Sequence, residues 1–274
     1  MLRMNHIDHG EAFDWGRASE AYAKYRDIYP PAFYQRILEL GLCQEGQQAL
    51  DLGTGTGVLP RNLARYGARW TGVDLSDNQI AEAKRLAAEQ GLDIRFFAAP
   101  AEQTGLPDGA FDVVTACQCW TYFDQTKVLP EITRLLKPQG RFLILFMAWL
   151  PFESEIALQS ERLVQQYNPN WTGGGIRRSQ TQPPAWAEKW FDCLHCEDHA
   201  LDVAFTRESW HGRMFACRGV GASGLPEEQI AAFARAHWAY MQSVPETFVI
   251  PHYVTLLDFR KKDTARAPAH DDRP

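Results

Sequence analysis

One stretch limits the possible folds of this chain more than any other: Gln47-Gln-Ala-Leu-Asp-Leu-Gly-Thr-Gly-Thr-Gly57. Gln48–Leu52 reads as a short buried strand, Gly53, Gly55 and Gly57 as a tight turn, and residues 58–66 as a helix by their apolar spacing. Glycine suits such a turn, because a positive φ costs it no Cβ clash and a bare backbone can lie flat against a ligand. A second strand, residues 69–74, then ends in Asp74. An acid at that place, about 20 residues past the first glycine, can accept hydrogen bonds from both hydroxyls of a ribose. Together the two features point to a nucleoside-containing ligand.

The spacing narrows the choice. A dinucleotide site favours G-x-G-x-x-G with a helix N-terminus facing a pyrophosphate. Here the spacing is G-x-G-x-G, and Asp51 stands two residues before the first glycine, where a carboxylate would repel phosphate. S-adenosylmethionine has a sulfonium, an ammonium and a ribose diol, and no phosphate. On these residues the chain resembles the class I S-adenosylmethionine-dependent methyltransferases, small-molecule branch, of the ubiquinone/menaquinone-biosynthesis type. The resemblance covers about residues 45–148, including Leu136-Lys-Pro-Gln-Gly-Arg141, and more loosely an N-terminal segment.

The resemblance implies an α/β fold: a Rossmann-like seven-stranded sheet with a reversed last strand and helices on both faces. It also implies an N-terminal helical lid over residues 1–40 and a methyltransferase domain over 41–260; from Pro151 the pattern departs from the minimal fold, as a substrate-side insertion at about 151–245, and the polar, proline-bearing residues 261–274 read as a disordered tail. Tyr22 and Arg26 would belong to the lid, with Arg26 on the methionine carboxylate. Asp51, Gly53, Thr54, Gly55 and Gly57 would form the loop, Asp74 and Leu75 the ribose end, and Ala101 and Glu102 the adenine end. Gln118 and Trp120, beyond the fourth strand, would stand beside the reacting methyl.

The rest of the chain agrees with a doubly wound sheet. Strands are expected at 48–52, 70–74, 93–98, 111–117 and 141–147, alternating with helices at 57–66, 78–90 and 127–136. Past Pro151 come helices at 152–167, 185–191 and 226–241, strands at 194–205 and 248–259, and Thr206 as an N-cap. The glycine-rich stretch 168–175 suits either a loop that moves over a site or a plain surface loop. Trp120, Trp171 and Trp210 are candidates for an acceptor wall.

At 274 residues, 45% hydrophobic and 23% charged, the chain can bury a substantial core. A net charge of −6 gives no global attraction to nucleic acid. The first ten residues contain no apolar signal-peptide core and no run spans a bilayer, so a cytoplasmic monomer or homodimer acting on a small molecule is expected, with no membrane partner. Cys193-Leu-His-Cys196 lacks a second ligand pair and reads as reduced thiols on a strand; no metal is expected.

Methyl transfer from a sulfonium needs no acid for its neutral leaving group, so a catalytic triad is not required. If the acceptor must lose a proton, His211 is the leading base and His252 the second. The arginines at 177 and 207–218 either receive an anionic acceptor or form surface ion pairs. Two alternatives stay open: a non-catalytic binder of the same cofactor, and a nicotinamide-dependent oxidoreductase.

Overall fold

The computed structural model describes residues 2–262. In chain order these comprise α1 (Ser19–Tyr25), α2 (Pro31–Glu39), β1 (Gln48–Leu52), α3 (Val58–Leu63), β2 (Arg69–Asp74), α4 (Asp77–Glu89) and β3 (Arg95–Ala98). They continue with β4 (Phe111–Cys117), α5 (Gln125–Leu135), β5 (Leu136–Trp149), α6 (Glu155–Tyr167), α7 (Ala187–Trp190), β6 (Phe191–Thr206), α8 (Arg207–Phe215), α9 (Glu227–Met241) and β7 (Thr247–Lys261).

The strands form one seven-stranded sheet in the order β3-β2-β1-β4-β5-β7-β6. β1 pairs in parallel with both β2 and β4, so the strand order reverses at the carboxyl ends of β1 and β4. A crevice opens at such a reversal, and ligands of open α/β sheets bind there. β7 runs antiparallel to β5 and β6, which gives the reversed last strand.

Period-two alternation sends side chains to opposite faces of each strand. On β5, Leu143, Leu145, Met147 and Trp149 join one core with α2, α3, α6, α8 and α9. Phe142 and Ile144 face the other core, under α5 and α7. A smaller cluster seats Ile80, Ala83 and Ala87 of α4 on Phe96 of β3. Gly72 in β2 makes room for that ring, since a Cβ there would stand 2.6 Å from Phe96 Cδ1.

The expected elements are present, with shifted bounds. The fifth strand is twice as long as expected, 14 residues, because its start absorbs the Pro-Gln-Gly turn. Leu136 pairs with Phe111, Arg141 pairs with Val113, and residues 137–140 bulge out between them. Thr206 caps α8 by accepting from the Ser209 amide, in a reciprocal capping box. The segment expected as an insertion contains β6, an edge strand of the sheet, together with α6, α7, α8 and α9. Lys261, expected in a disordered tail, ends β7 instead; residues 263–274 of that expected tail lie outside the described residues. Among the described residues, no helix is long and apolar enough to cross a membrane.

Candidate active site

β1 breaks into α3 through three glycines at positive φ: Gly53 at 63°, Gly55 at 56° and Gly57 at 73°. Close approach adds a second constraint at Gly53, where a Cβ would stand 2.8 Å from the Cβ of Cys119. The loop's amides turn inward. Thr54 N donates to Val73 O, Gly55 N to Asp74 Oδ2 and Gly57 N to Thr54 O, each at 2.9 Å. These three N–H groups are therefore already satisfied and are not available to cradle a phosphate. Asp74 also accepts from Ser76 N at 2.9 Å through Oδ1, so each carboxylate oxygen retains a second acceptor site. Burial raises the pKa of Asp74, and the Ser76, Gly55 and Leu75 amides oppose that shift.

Asp51 is not at the mouth of the loop. In β1 it lies on the same side as Ala49 and beside Thr115, its register partner, whose hydroxyl donates to Asp51 Oδ1 at 2.6 Å. It is 2% exposed, and burial pushes its pKa up to about 7. A carboxyl with a folded pKa above its unfolded value stabilises the fold fully below the unfolded value, near pH 4, and loses that contribution as pH rises through about 7. Denaturant titration should show wild type losing on the order of 2 kcal/mol relative to Asp51→Asn between about pH 5 and pH 8. Parallel pH profiles for the two proteins would contradict this assignment.

At the strand-order reversal lies a cavity of about 420 Å³, within the range of small-molecule sites. Tyr22, Arg26, Gly53, Gly55, Asp74, Leu75, Ala101, Glu102 and Gln118 all line it, as expected from the sequence. Thr54 and Gly57 do not line it; their contribution is the shape of the loop. Tyr22 lies over the loop, its Cε1 3.5 Å from where a Gly55 Cβ would be, and its ring meets Trp15 edge-on. Arg26 is 5% exposed, lies over the Tyr22 and Tyr29 rings, and has no hydrogen-bond partner at Nη1. Glu102 accepts from Asp124 N, which fixes the chain after β4. Gln118 holds a positive φ of 67° and donates to Met147 O at 2.7 Å.

Besides Asp51, Thr54 and Gly57, Trp120 and both candidate bases are placed away from the cavity. Trp120 does not line the cavity: a tight turn at Trp120–Tyr122 sends its ring to the opposite core, against Phe142 and Trp186. His211 also lies outside the cavity. Its Nδ1 meets Nδ1 of His237 at 2.9 Å, and His237 Nε2 meets Ser160 Oγ at 3.0 Å. Burial lowers the pKa of both, that of His237 to about 3, and the two rings stack away from the cavity. His252 is not a cavity residue either; it is 1% exposed with Nδ1 on Ile250 O. Among the described residues, no histidine lines the cavity.

The tryptophans and arginines also separate. Trp171 lines the cavity, whereas Trp210 is buried against Trp149 and donates to Ser160. The glycine-rich loop packs over the site, with Gly175 N on Glu161 and Thr172 N on Asp8. Arg177 stacks on exposed Phe152, and Arg207 pairs with Glu246, so both are surface residues. Arg213 and Arg218 enter the cavity instead. Trp15, Phe146, Met147 and Trp149 complete walls that had no distinct signal in the sequence; only the outward run of β5 beyond residue 147 hints at the last of them.

Comparison with known proteins fits this geometry. Residues 50–144 match the family model described as "Methyltransferase domain". The chain is 40% identical over 114 residues to the demethylmenaquinone methyltransferase of Thermus thermophilus, covering 40% of this chain and 52% of that protein. It is 38% identical over 134 residues to a ubiquinone biosynthesis O-methyltransferase of Caulobacter vibrioides, covering 48% and 51%. The chain thus spans about half the length of the curated relatives it matches. Among solved structures, YcgJ of Bacillus subtilis superposes with a TM-score of 0.52 at 22% identity, over 85% of this chain and 99% of that one. The MccD protein superposes with a TM-score of 0.51 at 17% identity, over 85% and 97%. These two similarities establish the fold.

Proposed function

We propose that this chain, whose residues 50–144 carry a methyltransferase domain, moves the methyl group of S-adenosylmethionine onto a small-molecule acceptor. The observation that carries this reading is the loop at Gly53–Gly57. Three of its amides, those of Thr54, Gly55 and Gly57, already donate to Val73 O, Asp74 Oδ2 and Thr54 O, while Asp74 beside it keeps acceptors for a ribose diol. Such a cradle suits a nucleoside without phosphate, and it disfavours the pyrophosphate of a nicotinamide dinucleotide.

Asp74 would hold the ribose, Ala101 and Glu102 would flank the base, and Tyr22 would close over the loop. Arg26, buried with Nη1 unpartnered, would take the α-carboxylate. When bound, the cofactor supplies an activated methyl and a leaving group that departs neutral. The protein's task is to exclude water and hold the acceptor in line, and such positioning is worth roughly 7–11 kcal/mol of barrier. The N-terminal segment with Tyr22 and Arg26 serves as the lid, and the helices after β5 select the acceptor.

S-adenosylhomocysteine should raise the thermal midpoint of the protein and NAD should not, since a ligand that binds only the native state stabilises it by mass action. Stabilisation by NAD alone would overturn the proposal.

A further inference from the structure

The cavity contains more positive charge than the cofactor can match. Among the described residues three arginines line it, Arg26, Arg213 and Arg218. Arg218 is neutralised by Asp8, with Nε 2.9 Å from Oδ2. Arg26 and Arg213 have no ion pair with any carboxylate among the described residues, although each is only 5% exposed. Arg213 lies over the Trp149 ring at 5.1 Å and donates through Nη1 to Cys217 Sγ at 2.8 Å. Its Nε has no hydrogen-bond partner. The acids of the cavity wall, Asp74 and Glu102, belong to the nucleoside end. Asp74 ends β2, and Trp149, under Arg213, ends β5, three strand positions away, or about 14 Å across the sheet.

A buried, unpaired charge is costly, and a fork-shaped guanidinium matches a carboxylate in two hydrogen bonds. Burial first, and then the neighbouring Arg26, act against the charge of Arg213 and lower its pKa, although an arginine stays protonated in proteins. Building on the proposed reaction, the cofactor brings one carboxylate, which Arg26 takes, and one guanidinium is left over. Trp149 lies beneath it, and the cavity lining also includes the apolar Phe146, Met147, Trp171 and Ile176.

We propose that the methyl acceptor is a small organic acid with an apolar body, its carboxylate held by Arg213 and its body packed against Trp149 and Trp171. Arg213 comes from α8, outside the matched residues 50–144, so this contact is a property of the chain's own acceptor side.

The test uses the full chain saturated with S-adenosylhomocysteine. The probes are carboxylic acids with phenyl, indolyl and alkyl bodies, each paired with its methyl ester, and the readouts are thermal shift and calorimetry. Acids should bind and their esters should bind at least tenfold more weakly. Arg213→Gln should weaken acid binding at least tenfold and change the S-adenosylhomocysteine Kd less than threefold; Arg26→Gln should show the opposite pattern. Arg213→Lys, which keeps the charge and loses the fork, should retain part of the acid binding. Acids and esters binding alike, or no acid binding at all, would overturn the proposal. So would a main loss of S-adenosylhomocysteine affinity in Arg213→Gln, because the guanidinium would then serve the cofactor. Should Arg213→Gln not fold, the acid-to-ester comparison on wild type and Arg213→Lys still decides. Failure of wild type to bind S-adenosylhomocysteine would instead remove the underlying methyltransferase reading.

Discussion

Asp74→Ala is expected to weaken S-adenosylhomocysteine binding about 100-fold, and by no less than tenfold. Each hydrogen bond from a ribose hydroxyl to a carboxylate contributes about 1.5–3 kcal/mol, and about 1.4 kcal/mol is a factor of ten. The substitution also frees Gly55 N and Ser76 N, which Asp74 accepts at 2.9 Å, so the loop loosens together with the loss of the direct contact. The control is Asp77→Ala, which removes an exposed acid from the first turn of α4, three residues away. Calorimetric titration of both variants would decide the matter. Equal dissociation constants for Asp74→Ala and Asp77→Ala would contradict a ribose site at β2.

The second large effect is on the loop itself. Gly53→Ala should destabilise the fold by about 2–4 kcal/mol, combining the left-handed backbone penalty with overpacking of a filled site. The new Cβ would stand 2.8 Å from Cys119 Cβ and 2.9 Å from its sulfur, and Cys119 is buried with Sγ on Leu52 O. Gly91→Ala isolates the backbone term: its φ is +66° and nothing lies within 4 Å of its Cβ position. That variant should lose about 1–2 kcal/mol. If urea unfolding gave the same loss at both sites, close packing of the loop against Cys119 would be refuted.

Much of this molecule could be read from its residues because local signals and tertiary demands agree over 48–117. The strand, the positive-φ glycines and the acid ending the next strand serve both the fold and the site. Asp51 shows what spacing alone leaves open. Its position two residues before Gly53 is fixed by sequence, but strand alternation and the partner Thr115 turn the carboxyl under the loop.

α8 shows the same problem on a helix. His211 and Arg213 are two residues apart, about 200° around the axis, so one of them faces the cavity only if the other turns away. Arg213 faces it, and His211 stacks on His237 instead. Nothing in the local sequence states which face docks. That is set partly by Gly212, where a Cβ would meet the Tyr25 ring of α1 at 2.4 Å. Trp120 departs from the sequence expectation for a related reason: no periodic signal marks a one-turn reversal, and the ring follows it to the far core. Trp15 lies in another such turn and was missed outright.

The crevice beyond β1 is expected to accept a nucleoside that carries no phosphate. Titrating one preparation of the full chain with S-adenosylhomocysteine and with NAD, by calorimetry, tests it most directly. One S-adenosylhomocysteine bound per chain, with no heat from NAD, is the predicted result; saturable binding of NAD with none of S-adenosylhomocysteine would contradict it.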